Sequence, residues 1–307
     1  MLESVFVGGV DAALSAVRAV LCAPSLGDYL SPSIAVGRVY AIAANLEAMC
    51  GRYASSRRPE DLVEEFEVEE NAVKETLEED FNVAPTKNVY AVLERPPSKD
   101  EDRPAQRQLR VLTWGLVPSW AKDPSIGNRM INARMETVTE KPAYRKAFAA
   151  RRCLLPADGY YEWYTTQQKN AAGKQVKQPF FVRPADGGTL AMAGLYEIWR
   201  DPTRDEDDPG RFRWTCTVLT TSAEDDLGHI HDRMPLLVEP HRYAAWLDPT
   251  ASSSEELKGL LVPAAPGRLE AFPVSTQVNN VKNNGAALVE PVAPETVESL
   301  RKSPERA

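Results

Sequence analysis

Histidine and cysteine are both scarce in this chain: three histidines (His229, His231, His241) and four cysteines in 307 residues. Cys22, Cys50, Cys153 and Cys216 stand far apart, and no CxxC pair occurs. That spacing excludes zinc knuckles and dithiol redox motifs, argues against a disulfide framework and fits a reducing compartment. The glycine-rich signatures GxGxxG and GxxxxGKS/T are missing, which removes the two common phosphate cradles. An excess of positive charge is missing as well. The net charge of −8 excludes a protein that coats nucleic acid by bulk attraction, while leaving room for a local basic groove. No internal repeat, cofactor signature or metal-ligand cluster stands out.

What is present is ordinary in bulk. Hydrophobic residues make up 43% and charged residues 26%, the balance of a globular chain with enough length for one large domain or two small ones. Residues 1–48 stand apart. They are rich in Ala, Val and Ser, lack a basic opening segment, and have their apolar runs broken by Asp11 and Pro24. They form neither a signal peptide nor a membrane span. We read them as a leader, either a start codon assigned too far upstream or a segment removed later. A genuine extra element is the third option.

From Cys50 onward the pattern is mixed. A helix is predicted from Pro59 to Val68, with proline in the first turn, acids early, and Leu62, Val63 and Phe66 on one face. Strands are predicted at 89–93, 109–114, 153–155, 159–164, 179–183, 190–196, 214–221 and 269–273. Helices are predicted at 141–150, 240–246 and 254–261, and residues 96–107 and 201–211 as polar loops. Many short strands with few long helices imply an α+β fold. The expectation is a single domain over 50–292, a strongly bent, mainly antiparallel, barrel-like sheet with flanking helices, and a flexible tail over 293–307.

Several groups could carry chemistry. Cys50 follows Met49, and if Met49 were the start, its removal would leave an N-terminal cysteine. Such a residue carries an amine and a thiol together, and that 1,2-aminothiol can condense with an aldehyde to a thiazolidine ring. Glu162 is the only charge in the aromatic stretch Tyr160-Tyr161-Glu162-Trp163. It is either an outward glutamate on an alternating strand or a desolvated carboxylate with a raised pKa. His231, beside Arg233, is either a surface histidine or a neutral imidazole suited to proton transfer. Asn132, Arg134 and Glu136 repeat at period two and share one face of an extended segment. There Arg134 either binds phosphate or is simply solvated. Lys141, Arg145, Lys146, Arg151 and Arg152, near Trp114, Trp120 and Trp163, make either a single-strand-binding groove or a plain helix surface over core tryptophans. The turn from Phe81 to Thr86, with Asn82 and Pro85, either lines the same cleft or ends a loop.

The ordered motifs Met49-Cys50-Gly51-Arg52, Asn82-Val83-Ala84-Pro85-Thr86, Trp114-Gly115-Leu116-Val117-Pro118-Ser119-Trp120 and Ile131-Asn132-Ala133-Arg134-Met135-Glu136-Thr137 come first. Arg152 to Trp163, Ala193 to Glu197, His231-Asp232-Arg233-Met234-Pro235 and Val278-Asn279-Asn280-Val281 follow. Together they closely resemble the SOS-response-associated peptidase family, also called abasic-site processing proteins, from Cys50 to about Pro291, with short loops of bacterial type. The resemblance implies a sensor of abasic sites in single-stranded DNA that crosslinks covalently through an N-terminal cysteine, here Cys50. It implies that Glu162 moves protons, that His231 hydrogen-bonds the opened sugar, and that Asn132 positions the lesion. It further implies phosphate contacts by Arg134 and Arg233 and base packing by Trp120 and Pro85. Arg52 and Asn82 complete the expected DNA-binding set, with Arg52 lowering the Cys50 thiol pKa. Lyase-like strand cleavage and self-removal of the leader are further expectations. So are a cytoplasmic, nucleoid-associated monomer, partners at the replication fork, and no cofactor, metal or membrane. Two other readings use the same residues: a thiol peptidase with Cys50, His231 and Glu162 as a triad, and a non-catalytic reader of single-stranded DNA.

Overall fold

The computed structural model describes residues 50–96, 104–223, 227, 230–251, 253–263 and 265–293. The leader, His229, most of the tail and the middle of the 96–107 loop lie outside these residues. Five strands form a closed ring: β4 (Asn88–Arg95), β5 (Gln106–Trp114), β7 (Arg152–Ala157), β10 (Leu190–Arg200) and β11 (Phe212–Ser222). β5 pairs with β4, β4 with β7, β7 with β10, and β10 with β11, all antiparallel. The ring closes through a parallel contact that puts Thr215 and Cys216 of β11 beside Thr113 and Trp114 of β5.

The expected bent, mainly antiparallel sheet is therefore a barrel, and its strands are buried on both faces. Val89, Ala91, Leu93, Leu112, Trp114, Cys153, Leu155, Met192, Cys216 and Val218 form one cluster that contains no helix residue, and these alternate residues face inward. Tyr90, Val92, Leu109, Leu154, Ala193, Leu195 and Leu219 face outward, where helices cover them. The covering helices are α1 (Pro59–Glu65), α2 (Arg145–Ala150), α3 (Tyr243–Leu247) and α4 (Ser254–Gly259), which contribute Leu62, Phe148, Trp246 and Leu257. All four are shorter than the sequence pattern suggests, because each needs to cover only a patch of barrel wall.

A second, antiparallel sheet is ordered β13-β9-β8-β1-β3, with β1 (Tyr53–Ser55), β3 (Asp80–Val83), β8 (Gly159–Lys169), β9 (Gln175–Pro184) and β13 (Leu269–Pro273). Tyr53, Val83, Tyr160 and Val182 from this sheet join the inward-facing cluster, so the sheet packs on one end of the barrel core. Three further short strands complete the fold: β2 (Glu70–Asn71), β6 (Asn132–Arg134) and β12 (Arg233–Pro235). β6 runs parallel to β11, placing Asn132 beside Val218. β12 pairs with the end of β11 (Thr221↔Met234), and the chain then enters the gap where β10 and β11 part: Leu236 donates to Leu219 O at 2.8 Å and accepts from Ala193 N at 2.7 Å.

Arg152 shows how the basic stretch before β7 is used. It is buried and donates to Trp246 O, Phe148 O, Ala149 O and Asp248 O, the orphan carbonyls at the ends of α2 and α3. Arg151, one residue earlier, bonds Glu197 at 2.9 Å. These two arginines brace the barrel wall and are not part of an open groove.

The pairing of β1 with β8 depends on Gly159. A Cβ there would lie 2.4 Å from a Phe181 ring carbon and 2.6 Å from the Val182 carbonyl oxygen, and a backbone atom in a paired strand has little room to yield. Gly159→Ala is expected to destabilise the protein by about 1–3 kcal/mol, the usual cost of overpacking. A lower urea midpoint at unchanged m-value checks this, and an unchanged midpoint refutes it.

Candidate active site

The position of Cys50 follows from strand register. Tyr53 pairs with Tyr160 and Ala54 with Gly159, and Tyr161 N donates to Arg52 O at 2.9 Å. Continuing the same antiparallel register sets Gly51 opposite Glu162, and Cys50 is the next residue along. The Cys50 backbone nitrogen donates to Glu162 Oε1 at 3.0 Å, and the thiol is also hydrogen-bonded to that carboxylate. On the other side, Asn132 Nδ2 donates to Cys50 O at 3.4 Å, because β6 holds Asn132 at the level of Val218. Tyr144 in turn donates to Asn132 O at 3.2 Å. Cys50 is 4% exposed and holds φ at +50°, the left-handed region that costs a non-glycine residue about 1 kcal/mol or more.

Glu162 is buried, and removal from water raises its pKa to about 8. The hydrogen bonds from the Cys50 backbone and thiol pull the other way but do not win. The charge of Asp232 raises it further and that of Lys177 lowers it, so the 231–233 turn and β9 both look onto this carboxylate. Burial pushes the Cys50 thiol well above its ordinary value, and the neighbouring Glu162 adds to the effect. The expectation that Arg52 lowers the thiol pKa fails for a geometric reason. The Arg52 guanidinium points to Asn82 Oδ1 (2.7 Å) and Val278 O (2.9 Å) and lies over the Trp163 ring at 5.7 Å.

The remaining predicted residues fall into two groups. Asn82 and Arg233 are internal struts. Asn82 is fully buried and donates to Val278 O, Asn280 O and Asn283 O, tying the 276–283 segment to β3. Arg233 is 8% exposed, with a two-pronged contact to Glu136 at 2.6 and 3.1 Å and a bond to Thr220 O at 2.7 Å. The fold uses both side chains to hold loops in place. Arg134 and Trp120, by contrast, are exposed, the tryptophan at 60%, and Pro85 is half-buried in the turn before β4.

His231 is mostly buried. Its Nδ1 lies 3.1 Å from the backbone nitrogen of Arg233 and 3.1 Å from Asp232 Oδ1. Arg233 therefore acts on the imidazole through its backbone, not its guanidinium. The Glu162 carboxylate touches the cysteine rather than the histidine, so the serial cysteine–histidine–acid relay of a thiol peptidase is not assembled here. Sequence reasoning gave no role to Asp232 or Lys177. Only their charge hinted at one, since nothing in the local pattern reports a contact across two sheets. Among the described residues, no group of three His, Cys, Asp or Glu side chains is placed to hold a metal ion, and no helix is long and apolar enough to cross a membrane.

A barrel capped by a second sheet, with a buried cysteine–glutamate–asparagine contact where they meet, defines the class. Residues 49–281 match the family described as SOS response associated peptidase (SRAP), and the chain belongs to that family. It is 36% identical over 242 residues to the abasic site processing protein YoaM of Bacillus subtilis, covering 79% of this chain and 98% of that one. To YedK of Escherichia coli, named in the same way, it is 34% identical, covering 80% of this chain and 100% of the other. The more distant HMCES of Xenopus tropicalis is 28% identical, with 77% and 76% covered. Among solved structures, a protein from Bacteroides thetaiotaomicron superposes with a TM-score of 0.64 at 23% identity, covering 80% of this chain and all (100%) of that one. This likeness shows the same fold.

The raised pKa of Glu162 has a consequence for stability. Its folded value of about 8 lies above the ordinary 4.5, so between these values the folded state holds a proton that the unfolded state has released. Stability conferred by this group is therefore complete below about 4.5 and is lost as pH rises toward about 8, at up to about 1.4 kcal/mol per pH unit. The difference in urea-derived stability between wild type and Glu162→Gln is expected to fall with that sign across the window. A difference that does not change with pH would show that Glu162 is not held protonated.

Proposed function

We propose that this protein processes abasic sites in single-stranded DNA by capturing the ring-opened sugar aldehyde on Cys50. The observation that carries the reading is the direct contact of Glu162 with the Cys50 nitrogen in a buried site. That nitrogen stands where the α-amine would be if Cys50 were the first residue. The amine adds to the C1′ aldehyde, and the carbinolamine loses water to give an imine. The thiol then adds to the imine carbon and closes the thiazolidine. Every proton in this sequence is gained or lost within reach of one carboxyl group that titrates near neutrality, as a general acid and base requires. Asn132 fixes the backbone of Cys50, and His231 is the hydrogen-bonding group for the opened sugar. Arg134 and Trp120, both exposed, are the groups available to a phosphate and a base. The imine also permits β-elimination at the 3′ side, so minor strand cleavage is expected. The names of the relatives support the abasic substrate.

This chemistry needs Cys50 at the N-terminus. The same contact serves a self-cleavage that would expose it. The thiol passes its proton to the Glu162 carboxylate as the sulfur attacks the Met49 carbonyl, the Cys50 nitrogen leaves with that proton, and water hydrolyses the thioester to free the thiol and a Met49 carboxylate. We propose that residues 1–49 are absent from the working protein, whether never translated or removed in this way. The intact mass of protein purified from its native host is expected to begin at Cys50, and a mass beginning at Met1 would remove the aminothiol mechanism.

With an oligonucleotide carrying one abasic site, chain beginning at Cys50 is expected to give a heat-stable adduct. Cys50→Ala should abolish it, and Glu162→Gln should slow it by about 10²–10⁴-fold. The rate attributable to the protonated Glu162 should fall as rising pH removes its proton. A heat-stable adduct of undiminished yield from a Cys50→Ser chain would rule out the ring closure.

A further inference from the structure

Far from Cys50, the other mouth of the barrel carries an arrangement that the abasic chemistry does not use. Arg95 ends β4, Arg110 lies in the first half of β5, and Trp214 lies near the start of β11. The Arg110 guanidinium sits 4.6 Å from the centre of the Trp214 ring and that of Arg95 sits 5.3 Å from it, so two positive charges share one indole. Trp214 stacks in turn on Tyr196, with ring centres 5.8 Å apart and planes 12° from parallel. Val218, beside Asn132, lies four residues further along β11, about 13 Å at the usual strand rise.

Holding two guanidinium groups over one ring costs energy through their mutual repulsion, and that cost calls for a reason. Several other arginines have carboxylate partners: Arg107 has Glu94 (3.1 Å), Arg151 has Glu197 (2.9 Å) and Arg233 has Glu136 (2.6 Å). Neither Arg95 nor Arg110 is in a salt bridge among the described residues. Arg110 is held by a neutral link: its Nε donates 2.7 Å to Gln108 Oε1, and the Gln108 amide donates 2.6 Å to Glu70. This fixes the guanidinium plane by its Nε and leaves the terminal nitrogens unengaged by any carboxylate. Arg110 is also half-buried, and its pKa is lowered first by burial and then by the charge of Arg95, so each guanidinium feels the other. Arg95, Arg151 and Arg110 all act on the buried Tyr196 hydroxyl, which is a neutral donor at physiological pH.

We infer that Arg95, Arg110 and Trp214 form a second anion site that takes a phosphate group. Two guanidinium groups converge on the same point, supplying forked donors that match phosphate oxygens. Trp214, itself stacked on Tyr196, carries the two cations and holds them at this mouth. The phosphate belongs either to a strand of single-stranded DNA passing over this mouth or to a free phosphate-bearing small molecule. The site is separate from Cys50 and does not require the crosslinking reading to be correct.

The test uses two probes and the variants Arg95→Gln and Arg95→Gln/Arg110→Gln. The first probe is an undamaged 15-nucleotide oligothymidylate followed by anisotropy, and the second is inorganic phosphate followed by 31P line broadening. Arg95 is exposed, so the single variant keeps the fold even if the double variant does not, and far-UV circular dichroism checks both. If the phosphate comes from DNA, the double variant binds the oligonucleotide about tenfold more weakly. Its salt dependence is then shallower by about 0.7 for each phosphate that the protein no longer neutralises, with the single variant in between. If it comes from a small molecule, the 31P broadening seen with wild type falls at least severalfold in both variants and oligonucleotide binding does not change. Unchanged behaviour of folded variants with both probes overturns the site.

Discussion

A carboxylate held out of water beside a cysteine is the constraint on which the rest of this structure depends. Glu162 reaches that place because β8 pairs with β1: Tyr53 against Tyr160 sets Gly51 opposite Glu162, and the neighbouring Cys50 nitrogen reaches its carboxylate. Two hydrogen bonds from Cys50 favour the charged carboxylate, and loss of hydration disfavours it. The loss of hydration wins, and the group titrates at about 8 rather than in the ordinary range. A carboxyl group in that range can both give and accept protons near neutrality, which a water-exposed glutamate cannot do. The surrounding architecture keeps it there. The barrel core supplies the dry floor, the second sheet supplies the carboxylate, and β6 and β12 bring Asn132 and the 231–233 turn to it along the two edges of β11.

Arginine shows how the same residue type is put to different uses. Arg152 saturates the carbonyls at two helix ends, Arg233 clamps Glu136 and Thr220, and Arg52 ties the start of the domain to the 278–283 segment. Each is a donor hub in a region where backbone groups would otherwise lack partners. Other arginines, among the described residues, have no carboxylate partner and stay open to an anion. Arg134 lies on the Cys50 side, and Arg95 and Arg110 at the far mouth.

Much of this was legible in the sequence. Strands with an apolar run long enough to declare themselves, such as 89–93, 109–114 and 269–273, appear where the pattern puts them, and the last is reproduced to the residue. Helix α1 was announced by Pro59 and the acids behind it. Most of the elements that build the site stayed hidden. β1, β3 and β12 are three or four residues long and owe their existence to partners far away in the chain, so no local periodicity marks them, whereas the period-two Asn132 and Arg134 marked β6 as extended. The same reason explains Arg151 and Arg152. Neighbours in a strand point to opposite faces, so one meets Glu197 and the other the helix ends, and a basic cluster in the sequence does not become a basic surface. Asn82 and Arg233 were recognisable as special, but a side chain that lines a cleft and one that holds the cleft together look alike until their partners are known.

The geometry also bears on which chemistry the cysteine is suited to. A thiol peptidase needs a thiolate at rest, and therefore a base on the sulfur and an acid behind the base. Here burial and the adjacent carboxylate both push the Cys50 thiol toward its neutral form, and the histidine is bonded elsewhere. An aminothiol capture makes the opposite demand. Its first nucleophile is nitrogen, and the sulfur is needed only after the imine exists, when its proton can pass to the carboxylate already touching it. A positive charge on the mature amine would strengthen the contact with Glu162 and favour the carboxylate, while the later neutral species would restore the protonated acid. One buried group beside both the nitrogen and the sulfur can then serve each proton transfer in turn, and a resting thiolate is not required at any of them.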